Sequence, residues 1–414
     1  MIDWKKNTAL FLTGQALSLL GTMVVQYAIL WHVTLKSQSG TMMAFFTIAG
    51  FLPMFFISPF AGVWADRFNR KYIINIADGA IALVSLCVAV FLLSGFDSYG
   101  LLLFCALVRS LGQGVQTPAV GAFIPQIVPP EHLTKINGFQ SSIHSFVNLI
   151  SPMLSGALMT FTPLATLFFL DVVTAAIGIV IVFFFVKVPV KTKAPKQKET
   201  AYFHDLKEGL NYIKKHGYVL RMIVISALFT FLIAPAAFLT PLQVARNYGA
   251  EVWRLSAIEI VFSGGMIVGG IWIGMWGGFK NRIYTMAFSC LLCGLLSIGL
   301  GLWPQFWLYL VIMAVTGLFV PLYNAPSMVL LQTGVEPAFM GRVISVFVMV
   351  SSTMMPLGML AFGPIADKVS IDMLLIVAGI LISLLSIPMV TSKTLREAGK
   401  RHLQTYRENI RTTF

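Results

Sequence analysis

A highly charged stretch in the first half of the chain reads Gly62-Val-Trp-Ala-Asp66-Arg67-Phe-Asn-Arg70-Lys71. Long apolar runs flank this stretch on both sides. A short loop with one acid and three basic residues between two such runs is unusual. If the flanking runs cross a bilayer, the stretch is predicted to be a tight cytoplasmic hairpin between two membrane helices.

The composition is that of a polytopic helical membrane protein. The 414 residues are 57% hydrophobic and 11% charged, whereas roughly 25% of the residues in soluble proteins are charged. Apolar runs of about 20 residues, enough to cross a bilayer, recur along the chain. They lack the polar–apolar alternation of barrel strands, so the predicted fold is all-α.

Twelve apolar runs predict twelve membrane helices in two pseudo-symmetric bundles. The predicted spans are 8–35, 41–65, 72–95, 99–127, 137–161, 164–186, 218–245, 256–278, 283–302, 305–331, 343–366 and 371–390. The predicted domains are a six-helix bundle at 1–186, a basic cytoplasmic linker with an amphipathic helix at 187–217, a second six-helix bundle at 218–391 and a basic cytoplasmic tail at 392–414. The pair Cys290-x-x-Cys293 lies within an apolar run and is predicted to pack there. We expect no metal site and no cofactor.

Basic residues predict the orientation. With the N-terminus inside, the outer loops hold four of the 29 Lys and Arg residues: Lys36, Arg246, Arg254 and Lys368. This bias places both termini in the cytoplasm of a multi-pass plasma-membrane protein. The remaining charges are scattered over short loops, so the net charge of +13 favours contact with anionic lipid over nucleic acid.

The stretch Gly62-x-x-x-Asp66-Arg67-x-x-Arg70-Lys71 resembles the signature loop of the major facilitator superfamily. The resemblance covers all twelve predicted helices and implies two repeated halves with a substrate site near the bilayer midplane. Two further motifs resemble the drug:proton antiporter branch. They are Arg109-Ser-Leu-Gly112-Gln-Gly114, in the fourth span, and Ser151-Pro152-Met-Leu-Ser155-Gly156, where exporters usually have Gly-Pro-x-x-Gly-Gly.

Residues 204–213, the region of Glu259, and the stretches 332–343 and 364–367 look most like the macrolide-efflux group of that branch. This resemblance implies a monomeric exporter of bulky amphipathic drugs, driven by protons. It also implies that Asp66 meets the N-terminus of the eleventh span and closes an inner gate. An exporter of an endogenous siderophore, lipid or peptide is the alternative. An enzyme, a receptor or an ATP-driven pump is disfavoured, because no nucleophile–base, metal or Walker motif is present.

Charged residues inside the spans are the candidates for proton coupling. Arg109 lies near the bilayer centre, where a charge costs from about 2.5 kcal/mol upward. It either lines a functional cavity or belongs to a structural pair. Asp171 could pair with Arg109 and is the first candidate for carrying the proton, followed by Glu259. We expect Asp78 to form a structural ion pair with a basic residue of the charged stretch, and His144 to be a hydrogen-bonding group.

Two further expectations concern packing and the substrate. The spacing of the glycines of the eighth span, among them Gly265 and Gly269, favours close helix packing, and the resemblance to the superfamily implies that they meet the fifth span at a sliding interface. Polar groups expected in a substrate cavity are Gln15, Gln26, Gln113, Gln116, Asn148 and Asn324. Aromatic and Met side chains would complete a cavity that adapts to several ligands.

Overall fold

The computed structural model describes residues 3–187, 202–302, 305–336 and 339–397, and all regular secondary structure in them is helical. The first helices are α1 (Trp4–Ser37), α2 (Gly40–Arg67), α3 (Arg70–Leu93), α4 (Tyr99–Ile127), α5 (Leu133–Phe161) and α6 (Leu164–Val180). The others are α7 (Tyr202–Lys215), α8 (Gly217–Ala234), α9 (Thr240–Asn247), α10 (Val252–Trp276), α11 (Arg282–Leu302), α12 (Phe306–Gly334), α13 (Met340–Ala366) and α14 (Ile371–Thr391).

Two π-helical turns extend these helices. The turn Ile181–Phe185 continues α6, and the turn Pro235–Leu239 joins α8 to α9 in one span of 31 residues. Pro235 has no backbone N–H and cannot complete an α-helical ladder, which accounts for the second turn.

Each of the twelve predicted spans coincides with one helix or with a helix continued by a π turn. Ten spans in the described part of the chain are long and apolar enough to cross a membrane. The other two, α4 and α5, are each 29 residues long. They are less apolar, because they carry several of the Gln, Ser and Asn side chains discussed below. The structure is therefore consistent with twelve membrane helices.

The charged stretch is more helical than the sequence predicted. We expected a connection over 66–71, between the spans 41–65 and 72–95, but α2 continues to Arg67 and α3 begins at Arg70. Only two residues separate the helices, and the second of them, Asn69, caps α3 by accepting from the backbone N–H of Lys71 at 3.1 Å. The side chain of Asp66 lies outside the described residues, so its predicted place at the inner gate stays a prediction.

Basic side chains of this stretch bind backbone carbonyls. Arg70 donates to the carbonyl of Ala65 at 2.7 Å and to that of Ala122 on α4 at 2.7 Å. Lys71 Nζ donates to the carbonyl of Val186 at 2.8 Å, just after the π turn that follows α6. Cations are favoured at the C-terminal ends of helices, where carbonyls lack intrahelical partners. These bonds explain how α2 and α3 remain helical so close to the turn.

The described helices form two compact units. The first is built mainly from α1–α6 and the second mainly from α7–α14, with Ser39–Ala44 assigned to the second and Ala250–Ser256 to the first. Within the first unit α1 packs on α5 and α6, and α3 packs on α4 and α6. Within the second unit α8 packs on α13 and α14, and α11 packs on α12 and α14. The two units therefore repeat the same helix pairs.

Two glycines of α10 pack against α12. A Cβ at Gly265 would lie 3.0 Å from the backbone N of Leu318, and one at Gly317 would lie 3.2 Å from the backbone N of Met266. These glycines thus bring α10 and α12 together inside one unit. The expected contact of the eighth span's glycines with α5 stays a prediction.

The amphipathic helix α7 lies where the sequence pattern predicts it and packs on α13 and α8. Tyr212 and Ile213 are buried, whereas Leu210 is exposed. Glu208 forms an ion pair with Arg342 at 2.7 Å. The predicted extended linker, 187–198, lies outside the described residues except for its first residue, and most of the predicted tail lies outside them too.

An acid at the end of α13 caps the beginning of α2. The carboxylate of Asp367 accepts hydrogen bonds from the backbone N–H groups of Gly40 at 2.7 Å and Thr41 at 3.0 Å. It also accepts one from Ser39 Oγ at 2.8 Å. Burial alone would raise the pKa of Asp367, but these hydrogen bonds together outweigh it and lower the pKa. Asp367 is therefore an ionised N-cap of α2.

We predict that Asp367→Asn lowers the free energy of unfolding by about 1 kcal/mol at neutral pH, because it weakens the cap. The pKa of Asp367 is lower in the folded state, so its stabilisation is present above the ordinary Asp pKa of about 3.9 and is lost as the pH falls towards the folded value. Thermal unfolding in detergent at several pH values measures this. The exposed acid substitution Glu336→Gln is the control, and a wild-type–variant difference that persists unchanged into acid would contradict the assignment.

Candidate functional site

The basic residue inside the fourth span lies in a buried ion pair. Arg109 on α4 is 4% exposed and Asp171 on α6 is 0% exposed, and Arg109 Nη1 pairs with Asp171 Oδ2. Arg109 Nη2 donates to the carbonyl of Thr22 on α1 at 3.0 Å. Ser85 Oγ on α3 donates to Asp171 Oδ2 at 2.7 Å and accepts from Arg109 Nη1. Four helices thus supply the polar atoms around one pair.

Glycines allow α1 to approach α6 closely enough to enclose the pair. A Cβ at Gly21 would lie 2.9 Å from the Cα of Asp171. One at Gly178 would lie 2.7 Å from the carbonyl oxygen of Gly14. Small residues at such contacts are typical of membrane helices, because packing rather than hydrophobicity holds the helices together.

A second polar cluster surrounds Asp78 on α3, which is 3% exposed. Gln116 Nε2 on α4 donates to Asp78 Oδ1 at 2.6 Å, and Ser18 Oγ on α1 donates to the same oxygen at 3.2 Å. Gln116 Nε2 also donates to Gln15 Oε1 at 3.3 Å. The carboxyl of Asp78 is therefore held by neutral groups.

The predicted ion pair of Asp78 with Arg67, Arg70 or Lys71 is wrong. Among the described residues, Asp78 has no ionic partner. It lies eight residues beyond Arg70, which places it about 12 Å further along α3. Arg70 and Lys71 turn instead towards the carbonyls at the helix ends.

Two small cavities adjoin these clusters. The first, about 80 Å³, borders Arg109 and is lined also by Gln26, Gln113, Thr47 and Phe46. The second, about 60 Å³, is lined by Gln15 and Gln116, with His144 at its edge. A third hollow of about 670 Å³ on α2, α3 and α4 is lined almost wholly by apolar side chains, so it lacks the convergent polar groups of a specific site.

The structure divides the polar residues that the sequence assigned to one cavity. Gln26 and Gln113 line the first cavity, and Gln15 lines the second. Asn148 and Asn324 are exposed and line neither. Glu259 is half-buried on α10 in the second unit, with no hydrogen bond to its carboxyl among the described residues. Arg109 and Asp171 are thus brought together, and Glu259 is not placed in their unit.

The motif of the fifth span packs inside the first unit. Ser151, Pro152, Ser155 and Gly156 are all buried. A Cβ at Gly156 would lie 2.9 Å from the Cβ of Ser256, at the start of α10. Gly156 therefore lets α5 approach the first residues of α10, which belong to the same unit.

Sequence analysis missed Thr22, Ser85 and Ser18 as partners of the buried charges. The signal that could have found most of the site is a spacing of seven residues, or two helical turns. Three pairs of polar residues share this spacing: Gln15 and Thr22 on α1, Asp78 and Ser85 on α3, and Arg109 and Gln116 on α4. Residues seven apart lie on one helix face, about 10 Å apart along the axis.

A helical architecture of two similar units, with a buried ion pair among the apolar helices, is that of a multi-pass membrane transporter. Residues 11–359 match the family model described as Major Facilitator Superfamily. The chain therefore belongs to the Major Facilitator Superfamily, whose members are transporters and not enzymes. This confirms the resemblance seen in the sequence.

Individual relatives share less than a third of their residues with this chain. Macrolide efflux protein A of Streptococcus pyogenes is 28% identical over 392 residues, which cover 94% of this chain and 96% of the relative. The Staphyloferrin A transporter of Staphylococcus aureus is 23% identical and covers 87% and 89%. The crystal structure of a bacterial homologue of the iron transporter ferroportin in the inward-facing state has a TM-score of 0.67, at 15% identity, and covers 93% and 99%. That structure supports the fold alone.

We predict that Arg109→Gln lowers the free energy of unfolding by about 3–5 kcal/mol, because it leaves the buried carboxylate of Asp171 without a counter-charge. The double variant Arg109→Gln with Asp171→Asn should recover most of this loss, because no buried charge remains. Thermal unfolding in detergent completes the double-mutant cycle. Equal and additive losses for the two substitutions would contradict a direct pair.

Proposed function

We propose that the protein is a secondary-active exporter of bulky amphipathic drugs, macrolides among them, and that the proton gradient drives it by alternating access. The observation that carries this proposal is the buried Arg109–Asp171 pair beside a cavity with polar and apolar walls. The similarity to Macrolide efflux protein A over nearly the whole chain supports the choice of substrate class.

The first cavity offers the groups that an amphipathic ligand needs. Gln26 and Gln113 can each donate and accept hydrogen bonds, and Phe46 supplies a flat apolar surface. The guanidinium of Arg109 borders the cavity while it holds Asp171, so a ligand there can alter the balance of the ion pair. Arg109 is therefore proposed to lie on the substrate path.

The size of the cavity requires movement. About 80 Å³ is well below the roughly 300–1,000 Å³ of pockets that enclose drug-sized ligands. A macrolide can enter only if the helices around Arg109 separate. Alternating access, general for the family, provides that movement, and the small cavity is then the contracted form of a larger site.

The remaining features of the proposal concern placement. We propose a plasma-membrane protein that acts as a monomer, as members of the family often do. The positive-inside distribution of Lys and Arg supports a cytoplasmic position for both termini. In this orientation the charged stretch, 62–71, faces the cytoplasm. Asp66 would then serve the inner gate.

A second candidate is export of an endogenous siderophore, lipid or peptide, with drug export incidental. The similarity to the Staphyloferrin A transporter favours a siderophore among these. Gln26, Gln113 and Arg109 could equally bind the oxygen atoms of such a ligand. The two candidates differ in cargo and share the same site.

Accumulation of labelled erythromycin in cells with and without the protein tests the proposal. We expect lower accumulation in cells that make the protein, and recovery to the control level when an uncoupler collapses the proton gradient. Export that an uncoupler leaves unchanged would refute proton coupling. Unchanged accumulation across a panel of drugs would refute drug export and leave the endogenous cargo as the candidate.

We predict that Arg109→Ala abolishes this export while the protein is still made and inserted, because the substitution removes the charge that borders the cavity and holds Asp171. Arg254→Ala is a matched control, since Arg254 pairs with Glu251 at the start of α10, away from the cavity. Immunoblots of the membrane fraction check the amount of each variant. Export at the wild-type rate by Arg109→Ala would show that Arg109 has no central role.

A further inference from the structure

The first unit contains two polar layers, and they differ in charge. The layer of Arg109, Asp171, Ser85 and Thr22 has one positive and one negative group, which neutralise each other. The layer of Asp78, Gln116, Gln15 and Ser18 has one acid and only neutral partners. The two layers lie about 10 Å apart, because their members are seven residues apart on three helices.

No basic side chain compensates Asp78 among the described residues. On its own helix, Arg70 and Lys71 bind backbone carbonyls. On α4 the basic residue is Arg109, which is bound to Asp171, and on α6 the charged group is Asp171 itself. The basic residues of α1 lie at its two ends, and His144 of α5 lies beyond Gln15 and Gln116 at the second cavity.

These contacts lead to an assignment that builds on the proposed function. We propose that Asp78 is the residue that binds and releases the coupling proton, and that Gln116 is its positioning residue. The proton adds to the ionised carboxyl to form a neutral acid and leaves again as the same proton, so no other bond changes. Asp78 Oδ2 is the oxygen that takes it, since Gln116 and Ser18 both donate to Oδ1.

Asp78 suits this role better than Asp171 does. Asp171 already has Arg109 as its partner, so a proton that bound there would leave a buried guanidinium without a counter-charge. Asp78 has only neutral partners, so a proton can add to its carboxyl without breaking an ion pair. A small change in hydration or in the two donors then decides whether Asp78 is charged. Asp78 thus replaces Asp171, the first candidate from the sequence, as the proposed proton carrier.

The second cavity provides access for the proton. Gln15 and Gln116 line it and also contact each other beside Asp78. Gln116 thus links the lining of the cavity to the carboxyl of Asp78. A cavity of about 60 Å³ whose lining includes the amides of Gln15, Gln116 and Gln140 is large enough to hold a water molecule. A shift of Gln15 or Gln116 would let such water reach Asp78.

The helices themselves link the proton to the substrate. Asp78 and Ser85 lie on one face of α3, and Gln116 and Arg109 lie on one face of α4. A tilt or rotation of either helix must move both layers, because a helix transmits the motion as a stiff rod. Ligand entry at the first cavity would therefore change the surroundings of Asp78, as exchange of a proton for a drug requires.

The direct test is infrared difference spectroscopy of the purified protein across a pH step. We expect a band of a protonated buried carboxyl that disappears in Asp78→Asn and persists in Asp171→Asn and Glu259→Gln. It should shift in Gln116→Leu, because the carboxyl loses its closest donor. A band that survives Asp78→Asn would overturn the assignment whether or not the protein transports a drug.

Transport in liposomes supplies the second readout. Asp78→Asn should lower erythromycin accumulation driven by a pH gradient about tenfold or more, because an amide cannot carry the proton. Exchange of labelled for unlabelled erythromycin at equal pH should remain within about twofold, because the amide has nearly the same shape. Asp97→Asn, at the exposed cluster with Lys36, is the control. Gradient-driven accumulation by Asp78→Asn at the wild-type level would overturn the assignment.

The two readouts separate this assignment from the function it builds on. A carboxyl band that belongs to Asp78 in a protein that exports no drug would refute the drug cargo and uphold the proton site. Drug export driven by a pH gradient, with the band assigned to Glu259 or Asp171, would uphold the function and refute Asp78.

Discussion

The first unit is organised by the need to keep a guanidinium among apolar helices. A buried ion pair is stable only if its remaining hydrogen-bonding groups are satisfied as well. Arg109 meets this need with atoms from Thr22, Ser85 and Asp171, each on a different helix. The glycines at positions 14, 21 and 178 bring α1 onto α6 and keep the pair enclosed. The close packing of the helices and the neutralisation of the buried charge therefore depend on each other in this unit.

The same packing places a second acid where no base can reach it. Because the polar residues of α1, α3 and α4 recur after two turns, a cluster around Arg109 implies another cluster about 10 Å away. The two clusters differ in the partners of their acid. The acid of the second cluster, Asp78, is bound by amides and a hydroxyl, whereas the acid of the first, Asp171, is bound by a guanidinium. A neutral pair suits a fixed centre, whereas an uncompensated acid suits a group that changes its protonation state. The two layers thus offer separate places for ligand and proton on shared helices.

Periodicity and composition predicted the helices well, and they predicted specific partners poorly. The apolar runs located every span, and the rarity of charge in the spans made Asp171 a natural partner for Arg109. Asp78 was misassigned because distance along the sequence suggested the nearby basic residues, whereas those residues bind carbonyls at the helix ends. The packing of Gly265 and Gly269 on α12 was missed for a related reason: spacing identifies a helix face and does not say which neighbour covers it. Which neighbour a side chain contacts depends on the tertiary structure, and spacing along the sequence does not determine it.

The sequence at the cap on α2 resembles part of the charged stretch, 62–71. The pattern Gly-x-x-Ala-Asp ends α2 at residues 62–66 and recurs at residues 363–367, where α13 ends. In the second copy the glycine allows close approach, since a Cβ at Gly363 would lie 2.7 Å from the carbonyl oxygen of Gly40, and the acid caps the helix it meets. A Cβ at Gly62 would meet nothing within 4 Å. Because a carboxylate at a helix N-terminus is favoured wherever a helix begins nearby, the observed cap shows by what chemistry Asp66 could hold an inner gate.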